Sequence, residues 1–98
     1  MAEKLSIIWS SEAISDLKSV FVHLQESNSK DTSLKIRSEI FNAPYNIIFP
    51  EQYQSDEYLP QYRRIIVRNY KIYYTHFEKR IQIVGIFNTR RHPSKMRR

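Results

Sequence analysis

Four side chains near the end of this 98-residue chain are of the types that can break RNA without a metal: Arg64, Lys71, Arg91 and His92. Cleavage by RNA's own 2′-hydroxyl needs a proton removed, charge stabilised at the phosphorus and a proton given to the leaving oxygen. Arg64, Lys71 and Arg91 are suited to the charge. His92, or the hydroxyl of Tyr73, is suited to moving a proton. Arg63, Arg68, Arg90 and Lys95 add cations able to hold a phosphate backbone. Glu51, Asp56 and Glu57 sit in an acidic loop, and one of them could be a base only if that loop folds over the strands that follow. Each candidate also has a plainer use. Arg64 and Lys71 fit solvated strand positions, Tyr73 fits a packing role and His92 fits an exposed tail. His23 and His76 read as structural or surface residues.

Other chemistries find no support. Gly85 is the single glycine, so neither Gly-rich phosphate loop can form. There is no cysteine, which removes disulfides and a thiol nucleophile. Three scattered histidines do not make a zinc site, and no carboxylate cluster suggests a metal-dependent nuclease. No metal and no cofactor is expected. No apolar run approaches the roughly 20 residues of a membrane span, and the N-terminus lacks the apolar core of a signal peptide. The expectation is a cytoplasmic protein with no membrane partner.

Charge is segregated along the chain. Residues 1–61 carry five Lys/Arg against nine Asp/Glu, a net of −4; residues 62–98 carry eleven against one, a net of +10. A cationic half of this strength points to a nucleic acid or an acidic partner.

The elements that must position these residues follow from the pattern. Lys4–Trp9 reads as a short strand, with Trp9 as a core-edge anchor. Ser10 or Ser11 can cap a helix whose stripe is Ala13, Leu17, Val20, Phe21 and Leu24. Residues 26–31 are a polar break. A second helical stripe uses Leu34, Ile36, Ile40 and Phe41, and Pro44 kinks or ends it near Asn42. Residues 50–61 form a polar loop. Then the period changes: Tyr62–Val67, Tyr70–Phe77 and Arg80–Asn88 alternate and are rich in β-branched and aromatic residues. Arg68-Asn69 and Glu78-Lys79 read as hairpin turns, with Asn69 suited to a positive φ. The expected fold is α+β in the order βααβββ. Its N-terminal strand and helical hairpin pack on one face of an antiparallel sheet, in a single domain spanning 1–98 with 94–98 as a mobile tail.

Two-residue turns set the register and hence the faces. One face holds Ile65, Val67, Tyr70, Ile72, Tyr74, Ile81, Ile83, Gly85 and Phe87, and belongs under the helices. The other holds Arg64, Ile66, Lys71, Tyr73, Thr75, Gln82, Val84, Ile86 and Asn88. Ile66, Val84 and Ile86 together on an open face suggest a docking partner.

This order, with "YRRIIVRNYKIYY…IQIVGIFNTRRHP" and "SEAISDL", resembles the RelE/ParE toxins of bacterial type II toxin–antitoxin systems over nearly the whole chain. In that family a basic strand residue precedes Tyr-Arg-aliphatic-x-Tyr, and the last strand ends in Arg-Arg-x-Pro. Here Arg64, Tyr70 to Tyr74, and Arg90 to Pro93 take those places. The resemblance implies a toxin neutralised by a cognate antitoxin, with Ile66, Val84 and Ile86 as the antitoxin contact. It implies one of two targets. RelE-like members cut mRNA in the ribosome, through residues at the positions of Arg64, Lys71 and Arg91, with His92 as a further functional residue. ParE-like members inhibit DNA gyrase and are not nucleases. The leading expectation is a ribosome-dependent mRNA endonuclease, and the alternative is a gyrase inhibitor.

Overall fold

The computed structural model describes residues 4–90. The expected tail, 94–98, and three of the candidate cations, Arg91, His92 and Lys95, lie outside the described residues. Strand β1 (Ser6–Trp9) leads into helices α1 (Ser11–Gln25) and α2 (Lys30–Asn42), then strands β2 (Arg63–Val67), β3 (Tyr70–Phe77) and β4 (Arg80–Asn88). This is the expected order. The sheet runs β1-β4-β3-β2 and is mixed, because β1 lies parallel to β4 while the other neighbours are antiparallel.

Helix starts and stops follow local chemistry. The Ser10 hydroxyl accepts the Ala13 amide at 3.0 Å, and the Ser29 hydroxyl accepts the Thr32 amide at 3.2 Å. Each satisfies an amide that has no partner within its helix. The Asn28 side chain donates to the Leu24 carbonyl at 2.9 Å and closes α1. After α2 the chain tightens into a single 3₁₀ turn, Ala43–Asn46, since Pro44 lacks the amide that a continuing helix requires.

The core lies between the helices and one sheet face. Ala13, Leu17 and Leu24 of α1 and Ile36 and Ile40 of α2 meet Ile65, Ile72, Tyr74, Ile81 and Ile83. Two residues placed in the second apolar stripe, Leu34 and Phe41, are instead exposed. Phe41 stacks on the Trp9 ring at 5.4 Å, so Trp9 does anchor the core's edge.

Both hairpin turns form where expected, with Val67 opposite Tyr70 and Phe77 opposite Arg80. The positive φ falls on Arg68 (55°) and Glu78 (56°), not on Asn69. The β3–β4 register then departs from the simple alternation. Tyr74 faces Ile83 as expected, but Tyr73 faces Gly85, so Val84 is an extra residue. Such a bulge swaps the faces of everything beyond it. Ile86 therefore lies opposite Ile72 and is buried, while Phe87 lies opposite Lys71. The expectation that Ile86 is exposed, and that Gly85 and Phe87 face the helices, is corrected by this one residue.

Past Trp9, β1 ends and the outer edge of β4 loses its strand neighbour. Asp16 of α1 reaches that edge, where its carboxylate accepts the Ile86 amide at 2.9 Å. Asp16, in the "SEAISDL" segment, thus ties helix to sheet. Among the described residues no helix is long and apolar enough to cross a membrane.

Candidate functional site

The sheet face away from the helices is not open. The acidic segment 50–62 begins beneath the core side, where the Tyr74 hydroxyl donates to the Pro50 carbonyl at 2.8 Å and the Tyr53 ring meets Tyr74 edge-on. It then runs along the free edge of β2. Arg63 donates to the Tyr53 carbonyl at 2.7 Å, the Arg64 amide donates to the Gln54 carbonyl at 3.2 Å, and Ser55 bridges to Arg63. From there it crosses onto the opposite face. This strap leaves β3 buried on both sides from Tyr70 through Tyr74.

Asp56 is where the strap meets the cations. The residue is 1% exposed. Its carboxylate accepts the Lys71 ammonium at 2.6 Å and the Tyr58 and Leu59 amides at 3.0 Å each. The Tyr73 hydroxyl also hydrogen-bonds it. The Arg64 Nε lies 3.5 Å away but makes no hydrogen bond. The Tyr58 ring lies 5.1 Å from the Lys71 ammonium, and the Tyr62 ring packs on Tyr73. Burial pushes the Asp56 carboxyl up, yet the Lys71 hydrogen bond and the two amides outweigh it and hold the group below the usual carboxylate range. Tyr73 shifts the other way: its burial, with the Asp56 charge beside it, raises the phenol well above its ordinary value. A phenol in that state carries its proton at neutral pH and is not a general base.

The structure thus brings together Arg64, Lys71 and Tyr73, as the sequence suggested, and adds the acid that occupies them. Lys71 is buried rather than solvated. The other expected phosphate-binding cations are also engaged or set apart. Arg63 fastens the strap. Arg68 makes a two-pronged pair with Glu39 of α2, at 2.8 and 2.9 Å. Arg90 follows β4 in an exposed turn, where its amide donates to the Asn88 side chain at 2.9 Å. Arg91, His92 and Lys95 lie outside the described residues. Of the expected antitoxin contacts, Ile66 is 57% exposed, Val84 is the half-buried bulge residue and Ile86 is buried. Among the described residues no group of three His, Cys, Asp or Glu could hold a metal.

Asp56 was the residue that pattern reading undervalued. The signal for it was present in the charge segregation: an acidic half and a basic half in one small domain pair most economically with each other. Gly85 carried a similar signal for the bulge, since an isolated glycine within a strand pattern often marks one.

Comparison with known proteins agrees with this architecture. The family model for the ParE toxin of the type II toxin–antitoxin system parDE matches residues 7–93. No curated protein matches the sequence. Among solved structures, a chain described as a chromosomal ParDE toxin–antitoxin system from P. aeruginosa superposes with a TM-score of 0.74 at 19% identity, covering 89% of this chain and 98% of that one. The family match spans almost the whole chain, and the order and sheet topology fit it: this protein belongs to the ParE toxin family of type II toxin–antitoxin systems, within the RelE/ParE superfamily.

Proposed function

We propose that this toxin acts as a ParE-like inhibitor of DNA gyrase, by binding and not by cutting mRNA. One observation carries the choice: the buried contact of Lys71 with Asp56, at 2.6 Å. Stabilising a pentacoordinate phosphorus needs cations aimed at an open site. Here the central cation is neutralised by the chain's own carboxylate, and Arg64 and the adjacent Tyr73 hydroxyl turn toward the same group. The ParE family match and the ParDE structural likeness favour the same reading. Membership of the family implies an antitoxin partner, and the exposure of Ile66 supports its assignment as a contact for that partner.

A paired assay with the purified full-length toxin tests this reading. Gyrase supercoiling should stop while ribosome-bound mRNA in a translation extract stays intact. Codon-positioned cuts in the mRNA, with supercoiling unimpaired, would overturn it in favour of the nuclease reading.

A further inference from the structure

Strand β4 outruns its outer neighbour. β1 stops at Trp9, opposite Ile83, and the Ser10 amide still donates to the Ile83 carbonyl at 3.0 Å. β4 continues to Asn88. Successive strand residues turn their backbone groups to opposite edges. The Thr89 amide donates to the Asn69 carbonyl at 2.7 Å, toward β3, so Asn88 and Ile86 present their amides and carbonyls to the other edge. Asp16 marks the direction at Ile86, where its carboxylate stands in for the carbonyl that a neighbouring strand would offer. The Ile86 carbonyl and both backbone groups of Asn88 face the lane that β1 leaves, and among the described residues no strand enters it. The lane opens into a cleft. A hollow of about 330 Å³ lies between α1 and the end of β4, and a second of about 740 Å³ follows toward the β2–β3 turn. They share His23, Tyr70 and Asn88 as walls, and both are of the size that ligands and peptide side chains fill. Arg68 and Arg90 line the second. Arg68 is held by Glu39, whereas the exposed Arg90 guanidinium has no partner among the described residues.

We propose that this lane beside β4 is a strand-addition site for an extended acidic peptide segment of a protein partner. Main-chain bonds to Asn88 and to the Ile86 carbonyl supply the affinity, and alternate side chains enter the cleft. A segment of about five residues, at roughly 3.3 Å each, spans Val84 to Asn88. Charge selects the occupant. Asp16 is the one carboxylate among the lining residues and stands at the α1 end, while Arg68 and Arg90 stand at the other. The sequence continues through Arg91, Lys95, Arg97 and Arg98 with no acid, so residues 91–98 carry the wrong charge to fill the site themselves. The lane lies on the opposite side of the sheet order from β2 and the strap, and shares no residue with the Asp56 contact. It is independent of the gyrase reading.

The probe is a capped heptapeptide of alternating valine and glutamate, titrated by NMR into the full-length protein at low ionic strength, beside its valine–lysine counterpart. The glutamate peptide should bind at least about fivefold more tightly, and Arg90→Glu, a change at an exposed turn, should reverse the order. The Asn88 amide, which no strand covers in the free chain, should gain protection from hydrogen exchange in the complex. A strand that joins a sheet bonds through every second residue. Methylating the peptide amides at one set of alternate positions should therefore weaken binding about tenfold or more, and methylating the other set should leave it unchanged. The proposal is overturned if neither peptide binds, if Arg90→Glu leaves their order as it was, or if the two methylated sets weaken binding equally. Protection that arises on the outer edge of β1, at Ile7 and Trp9 in place of Asn88, would overturn it too.

Discussion

Two of the cation–carboxylate pairs that join the β2–β3 hairpin to the rest of the chain, those of Arg68 and Lys71, differ in one respect above all. Arg68 meets Glu39 at 2.8 and 2.9 Å through both prongs of its guanidinium, with both side chains open to water. Lys71 meets Asp56 through a single 2.6 Å contact, with the carboxylate side chain fully covered. By geometry the first pair is the better made. By energy the second should dominate, because water and salt screen exposed charges, while a buried charge deprived of its partner has nothing to replace it. Location, more than the quality of the contact, decides what each pair does: one trims a surface, the other fixes a segment over the sheet and closes off its cations.

The largest expected effect follows from removing the buried partner. Lys71→Ala leaves Asp56 charged and covered, and should lower unfolding free energy by about 3–5 kcal/mol in urea titrations. A loss no greater than that of an exposed lysine would mean that water reaches Asp56. Acid offers a second handle on the same group. The Asp56 carboxyl is held below its ordinary value, so its stabilisation is complete above the unfolded-state value near 3.8 and disappears as pH falls through the lower folded-state value. Wild-type stability should therefore fall in that acid window, and the Asp56→Asn protein should lose less over it. Tyr73→Phe removes one hydrogen bond to a charged group and should cost about 1.5–3 kcal/mol, read from the same urea curves. Arg68→Ala sits at the small end. Its urea midpoint should match wild type at about 0.15 M salt, with any difference emerging only at low ionic strength.

The same contrast explains which parts of the structure could be read from sequence. The helix-covered face was legible because its rule is local: Ile65, Ile72, Ile81 and Ile83 repeat with the pleat and all are buried. The turns at Arg68-Asn69 and Glu78-Lys79 were legible for the same reason, as breaks between alternating runs. The bulge was marked only by Gly85 within a strand pattern, which does not say whether the count shifts, and that shift moved Ile86 into the core. The strap was hidden for a different reason. Residues 50–62 are polar and have no period, so nothing local tells a solvated loop from one that turns its Asp56 inward onto Lys71 fifteen positions away. The cations of the candidate site were found by type and spacing, while their state depended on a contact distant in sequence.

The account turns on whether Asp56 and Lys71 act as one unit, and a double-mutant cycle measures that directly. Unfolding free energies of wild type, Asp56→Asn, Lys71→Met and the double variant should give a coupling of about 2–3 kcal/mol, with the double variant far more stable than the sum of the single losses predicts. Additivity within about 0.5 kcal/mol would contradict it, and would mean that the cations of β2 and β3 are free to act without their internal acid.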